Sequence, residues 1–296
     1  MAGIPAVGKG RGHGTMVQIV NGLVYGSFLY VLAVGLVLIF GLRRVTNFAH
    51  GSFFMLGAYV SYAAAAHLGF WTGMVVSVAV LALLGVLLDR FVFRPLAGEE
   101  PIVSLLVTFG LLFVLEDAVR TIWGKDFISV AAPEALAGSV TMFGSQFPVY
   151  RLFVIAVAVV VALALALWLR STRVGLYVRA SSVDPVTTGM QGVDTDRLSA
   201  LVVAIGTGLA GLSGTIAGPL MALSPSMGAY IIIDCFIVVV TGGLTSFAGA
   251  FVAALVIGQF HNLGLVYVPE IASVIPLLIM GAVLGLRPQG LAGQGR

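Results

Sequence analysis

Long apolar runs separated by short polar ones dominate this chain. At roughly 20 residues per crossing of a bilayer's hydrocarbon, the pattern predicts spans at 17–40, 53–66, 74–88, 102–119, 152–169 and 198–218. A short apolar segment at 229–240 and two further segments at 247–263 and 271–286 follow. Counting 247–263 as a full span gives about nine crossings, and treating it or a neighbour as re-entrant gives about eight. The shortness of 229–240, which ends at the TGGLTSFAG stretch, points to a discontinuous membrane helix.

The polar interruptions alternate in charge. Arg43 and Arg44 follow the first span, Arg90 and Arg94 the third, and Arg287 the last. A longer island, 170–197, carries Arg170, Arg173, Arg179, Asp184, Asp194, Asp196 and Arg197. Cytoplasmic loops are enriched in Lys and Arg, so the island and the C-terminus are expected inside and the N-terminus outside. Residues 121–151 then form an outer segment, in which Trp123, Phe127, Phe143, Phe147 and Tyr150 suggest an interfacial cap rather than a crossing. Glu116 and Arg120 stand one helical turn apart and are expected to pair. From composition, the island reads either as a docking surface for a soluble partner or as a solvated connector.

With 59% hydrophobic and only 9% charged residues, the chain cannot cover the surface of a water-soluble domain, which carries about a quarter charged residues. The expected fold is all-α: a single polytopic domain over 16–296, after a flexible tail at 1–15, with 170–197 as a cytoplasmic loop. The net charge of +3 gives no pointer to nucleic acid. Cys235 is the lone cysteine, which excludes an intrachain disulfide. His13, His50, His67 and His261 lack a metal-ligand spacing, and no glycine-rich loop is present to cradle nucleotide phosphates. The chain is therefore expected to be no enzyme and to bind no metal or cofactor of its own.

A polar solute crossing such a protein needs walls with sparse donors and acceptors. The candidates are Asn21, Ser27, Asn47, His50, Ser52, Thr108, Thr207, Ser213, Thr241 and Thr245, with the Gly242–Gly243 hinge. Membrane helices also use hydroxyls to bond their own backbone, which is the rival reading for each. Asp234, inside YIIIDCFIVVV, is costly in hydrocarbon unless it faces a cavity or a partner. Segment 152–169 is almost purely Val, Ala and Leu and is expected to be scaffold.

Several of these stretches together resemble the branched-chain amino acid permease family of ABC importers, especially the smaller of its two permease types. They are NGLVYGSFLYVLAVGLVLIFGLRRVTNFAHGSFFMLGAY at 21–59, the island with Gly175, Arg179, Ala180 and Gly192, TGGLTSFAGA at 241–250, and RPQGLAG at 287–293. Asp234 departs from the pattern, since many such permeases carry a basic residue there. The resemblance implies a subunit of a bacterial inner membrane importer for branched-chain or related hydrophobic amino acids. It implies a second homologous permease or second copy, two cytoplasmic ATPases that hold ATP and Mg, and an extracytoplasmic solute-binding protein. It also implies that the island holds the ATPase-coupling helix, with Arg170, Arg173, Gly175, Arg179, Asp184, Gly189 and Gly192 as the coupling residues. The wider family includes permeases for urea, short amides and other small polar solutes. From hydropathy alone, an ATP-independent channel, a secondary transporter or a non-transporting scaffold stays open.

Overall fold

The computed structural model describes residues 11–142 and 145–292, and the fold is almost entirely helical. Helix α1, Arg11–Arg43, is 33 residues or about 50 Å long at 1.5 Å per residue. There follow α2 (His50–Leu68), α3 (Phe70–Leu88), α4 (Pro101–Trp123), α5 (Val149–Ser171), α6 (Arg173–Val183) and α7 (Pro185–Met190). The chain ends in α8 (Thr195–Ala217), α9 (Met227–Gly242), α10 (Phe247–Tyr267) and α11 (Ile275–Leu286). Six helical stretches are long and apolar enough to cross a membrane, and α9 and α11 are shorter apolar helices. With α2, 19 residues long and less hydrophobic, they make a polytopic bundle.

Several boundaries differ from the expected ones. Five residues assigned to the flexible tail, 11–15, are helical, while 1–10 lie outside the described residues, as do Phe143 and Gly293. The second helix starts at His50 rather than near 53, because the Ala49 carbonyl accepts from the backbone N–H groups of Ser52 and Phe53. The third does not stop at Asp89: a π-helical turn, Asp89–Phe93, carries it on to Leu96. Segment 229–240 lies within one helix of 16 residues, Met227–Gly242, about 24 Å long and ended by Gly243 at φ 103°. Residues 121–148 add no crossing. They form a short antiparallel hairpin, Ser139–Met142 with Ser145–Pro148, and a bridge from Ile128 to Leu223 ties this cap to the turn before α9.

Burial separates centre from periphery. In α1, 83% of the most apolar stretch is buried, against 22% in α5, which places α1 in the middle and α5 at the rim. Side-chain size explains how α1, α2 and α8 come together. A methyl group at Gly35 would meet the Gly206 carbonyl oxygen at 2.5 Å, and one at Gly57 would run into the Gly211 backbone. Helix association in lipid depends on such close packing rather than on exclusion of water. Gly206, Gly211 and Gly214 of α8 thus form the seam on which the bundle closes.

At one end of the bundle, Arg43 donates to both carboxylate oxygens of Asp89, at 2.7 and 2.6 Å, and to Asp196 at 3.4 Å. Arg94 pairs with the other oxygen of Asp196. This network joins the end of α1, the π turn and the first turn of α8. Its residues entered the sequence reading only as markers of sidedness. The expected Glu116–Arg120 pair is also present.

Candidate translocation path

Three cavities follow one another along the face of α9, with α1 as the opposite wall. The first, about 320 Å³, is lined by Tyr25, Met221, Ala222, Ser224, Met227, Tyr230, Ile231, Asp234 and His261. The next, about 190 Å³, is lined by Leu36, Phe40, Thr46, Asn47, Phe236, Val239, Val240 and Leu244, an apolar wall broken by two polar residues. The third, about 760 Å³, reaches Arg179, Ser182, Gly243, Thr245, Ser246, Pro288 and Gln289. Beside the first lies a further cleft of about 240 Å³, which shares Tyr25, Met221 and His261 and adds Asn21, Arg151 and Asn262. Between Phe28 and Leu36, α1 is fully packed, with Leu29, Val31 and Leu32 at 0% exposure, and this packed stretch separates the first cavity from the second.

Asp234 is half-buried and accepts a hydrogen bond from the Tyr25 hydroxyl. It therefore borders a cavity and also ties α9 to α1, two roles that the sequence left as alternatives. Asn47 is fully buried, and neither its amide nitrogen nor its oxygen has a partner among the described residues. Asn21, Asn47, Asp234, Gly243 and Thr245 line these cavities. The other candidates do not.

His50 donates through Nε2 to the Leu32 carbonyl at 3.0 Å, and Ser213 donates to that of Phe28 at 2.7 Å. Thr207 bonds back to the Val203 carbonyl at 2.9 Å. Thr108 joins the Ser104 carbonyl to the 46–48 turn through Thr46 and Phe48. Ser52 reaches the Leu112 carbonyl at 3.5 Å, and Ser27 is buried in α1. Thr241 and Gly242 are buried where α9 meets the C-terminal segment. The Thr241 and Gly242 carbonyls accept from Leu291 and Ala292 N–H at 2.8 and 3.3 Å. The TGGLTSFAGA and RPQGLAG stretches are thus one structural unit.

Sequence reasoning missed Tyr25, Arg151, His261 and Asn262. Arg151 lies one residue before the stretch taken as inert scaffold, and its guanidinium donates to Asn21 Oδ1. His261 stacks on Tyr25 with ring centroids 4.5 Å apart. Spacing held one available signal: Asn21 and Tyr25 stand one turn apart on α1, and residues at i and i+4 share a face.

The island is divided by three helix caps. Thr172 accepts from Gly175 N–H at 2.9 Å and starts α6. Asp184 accepts from Val186 and Thr187 N–H, each at 3.0 Å, and starts α7 with Pro185 in its first turn. Asp194 accepts from Arg197 N–H at 3.0 Å and starts α8. Hydrogen bonds from Thr187 hold the Asp184 carboxyl below its usual range. The coupling candidates do not gather at one point. Arg179 lines the third cavity and Gly175 packs on the end of α5. Gly192 forms the turn after α7 at φ 84°, and Gly189 has open space around it. Arg170 and Arg173 flank the α5–α6 junction.

A multi-span helical bundle with cavities in series along one short helix is the architecture of a membrane permease. Among the described residues, no group of three or more His, Cys, Asp or Glu could hold a metal ion. A sequence-family profile described as branched-chain amino acid transport system / permease component matches residues 18–284, and the chain belongs to that family. It is 26% identical over 292 residues to the high-affinity branched-chain amino acid transport system permease protein LivH of Salmonella typhimurium, covering 94% of this chain and 95% of that protein. It is 27% identical over 294 residues to BraD of Pseudomonas aeruginosa, which has the same description, again with 94% and 95% covered. LivH of Escherichia coli K12 is 26% identical over the same shares. The chain is thus a multi-pass, non-catalytic transport subunit.

Proposed function

We propose that this chain is the membrane-spanning permease of an ATP-driven importer that carries branched-chain amino acids inward along the α1–α9 path. The observation that carries the substrate class is the order of the cavities. A cleft with charged and polar walls lies on one side of the packed stretch of α1, and an apolar chamber walled by Leu36, Phe40, Phe236, Val239, Val240 and Leu244 lies on the other. A solute with a polar head and a short aliphatic side chain suits both. Urea and short amides have no such side chain to place in the chamber.

In this reading the chain acts with a second permease or a second copy of itself, two cytoplasmic ATPases and an extracytoplasmic solute-binding protein. The exposed flank of α9, with Tyr230 and Ile233, supports a second permease against the path. Membership of the permease family supports the importer assembly. Nucleotide and Mg belong to the ATPases, and α6 and α7 dock on them. The arginines of the island favour placing it in the cytoplasm of a bacterial inner membrane, with 121–151 outside and the C-terminus inside. Arg179 links the dock to the path, because it borders the same cavity as Gly243, Thr245 and Gln289.

The test is uptake by the reconstituted complex across leucine, valine, urea and short amides. ATP-dependent uptake of leucine and valine, with little of urea or amides, is expected. Uptake without the ATPases, or a preference for urea or amides, would overturn the reading.

A further inference from the structure

We propose that Arg151 and Asp234 are the two ends of one recognition site for a zwitterionic α-amino acid at the outer mouth of the path. Arg151 takes the carboxylate and Asp234 the ammonium group. This rests on the amino-acid permease reading and adds the residues that select the head group.

The other charges on the membrane-length helices are either ion-paired or, like Arg90, Asp117 and Arg170, exposed. Arg43, Asp89, Arg94 and Asp196 form one network, and Glu116 pairs with Arg120. Arg151 and Asp234 belong to no ion pair among the described residues. Each is held instead by a neutral group: Arg151 donates to the Asn21 carbonyl oxygen, and Asp234 accepts from the Tyr25 hydroxyl. A half-buried charge held only by a neutral partner keeps most of its desolvation cost, and an opposite charge would remove that cost. The site therefore contains one uncompensated cation and one uncompensated anion.

Their neutral partners share a single helix. Asn21 and Tyr25 are successive i and i+4 positions on α1, with Cβ atoms about 6 Å apart. The clefts that contain the two charges, of about 240 and 320 Å³, adjoin at Tyr25, Met221 and His261. In this reading the amino acid lies across that junction, its carboxylate toward Arg151 and its ammonium toward Asp234. His261 stacks on Tyr25 there, and its Nδ1 has no partner among the described residues, so the site also offers one spare polar atom. A zwitterion satisfies both charges together. An amine satisfies only Asp234, a carboxylic acid only Arg151, and urea neither.

The test uses the complete complex of permease and ATPase chains in lipid nanodiscs, without the solute-binding protein, so that only the membrane site is read. Saturation-transfer NMR, which detects weak binding, compares L-leucine, L-leucinamide, 4-methylpentanoate and urea at equal concentration. Leucine should give at least about a threefold larger effect than each of the others, because both buried charges find a partner only with it. Asp234→Asn and Arg151→Gln should each lower the leucine effect by about tenfold in complexes that assemble normally, while Arg151→Lys retains part of it. Equal saturation by leucinamide or urea in the wild type would overturn the proposal, as would leucine binding unchanged in both substituted complexes. Should the substitutions block assembly, the wild-type ligand series decides alone. Leucine uptake separates the two levels of inference. Absence of uptake in the fully reconstituted wild type removes the amino-acid importer reading. Undiminished uptake in both Asp234→Asn and Arg151→Gln removes this site while leaving that reading in place.

Discussion

Replacing Asp89 with Asn tests whether the Arg43–Asp89–Asp196–Arg94 charge network holds the bundle together. The Arg43 and Asp89 side chains are only 7% and 3% exposed, and they share two hydrogen bonds at 2.6 and 2.7 Å. Breaking a buried pair by neutralising one member costs about 3–5 kcal/mol, because the other charge is left in a medium that solvates it poorly. Asparagine retains one acceptor for Arg43, and Asp196 stays within reach at 3.4 Å, which puts Asp89→Asn near the lower limit, about 3 kcal/mol. At roughly 2 °C per kcal/mol for a chain of this size, the thermal transition should fall by about 6 °C. Intrinsic fluorescence of the purified protein in detergent, at one fixed scan rate, measures this. The double replacement Arg43→Met with Asp89→Leu removes both charges and should recover much of the loss, since an apolar pair leaves nothing uncompensated. A fall of less than about 2 °C for Asp89→Asn, or a double replacement whose loss is the sum of the singles, would refute the account.

Four further outcomes follow from particular contacts. Gly214→Ala places a methyl group against the Phe54 carbonyl oxygen and should sharply reduce folded protein in the membrane, whereas Gly41→Ala, with nothing within 4 Å of the added carbon, should not. Asn47→Leu removes unpartnered polar atoms that cost about 1–3 kcal/mol when buried. It should raise the thermal transition while slowing leucine uptake, and a variant that is less stable than wild type would count against the lining role of Asn47. Asp184 has a lowered carboxyl pKa in the folded protein, so its capping of α7 is complete above the ordinary carboxylate value and fades only as pH falls through the lowered one. Asp184→Ala should therefore weaken the coupling of ATP hydrolysis to uptake across the neutral pH range, and a flat wild-type profile from about pH 6 to 8 is expected from this group. Single cysteines at exposed positions in 121–142 should label from the outer side and those in α6 from the inner side. Cys235 is fully buried, so background labelling should be low even before it is replaced.

What the sequence made legible was the part of the fold that depends on local pattern. The apolar runs predicted most of the helices, and the mixed-charge island predicted the loop that carries three capped helix starts. Asp184 followed by Pro185, and Asp194 three residues before Arg197, are local cap signals of the kind a sequence can show. One boundary that moved did so for a reason outside its own segment. Helix α3 continues past Asp89 where that carboxylate meets Arg43, 46 positions earlier in the chain.

The path was legible only in part, because polarity within an apolar run has two physical outcomes that look alike in sequence. Ser213 satisfies its hydroxyl on the Phe28 carbonyl, 185 positions away, and becomes packing. Asn47 finds no partner and stays at a cavity wall. Composition cannot separate them, since the difference lies in which backbone oxygen the fold brings near. Arg151 shows the converse. Its charge was visible, but at the edge of an aliphatic helix it read as an interfacial residue, and only its bond to Asn21 across 130 positions places it at the cleft. The Tyr25–Asp234 bond spans 209 positions in the same way. In a bundle closed by glycine contacts, small differences in helix rotation decide whether a polar group faces a neighbour or the solute. The path is therefore specified by the seams Gly35–Gly206 and Gly57–Gly211 as much as by the polar residues themselves.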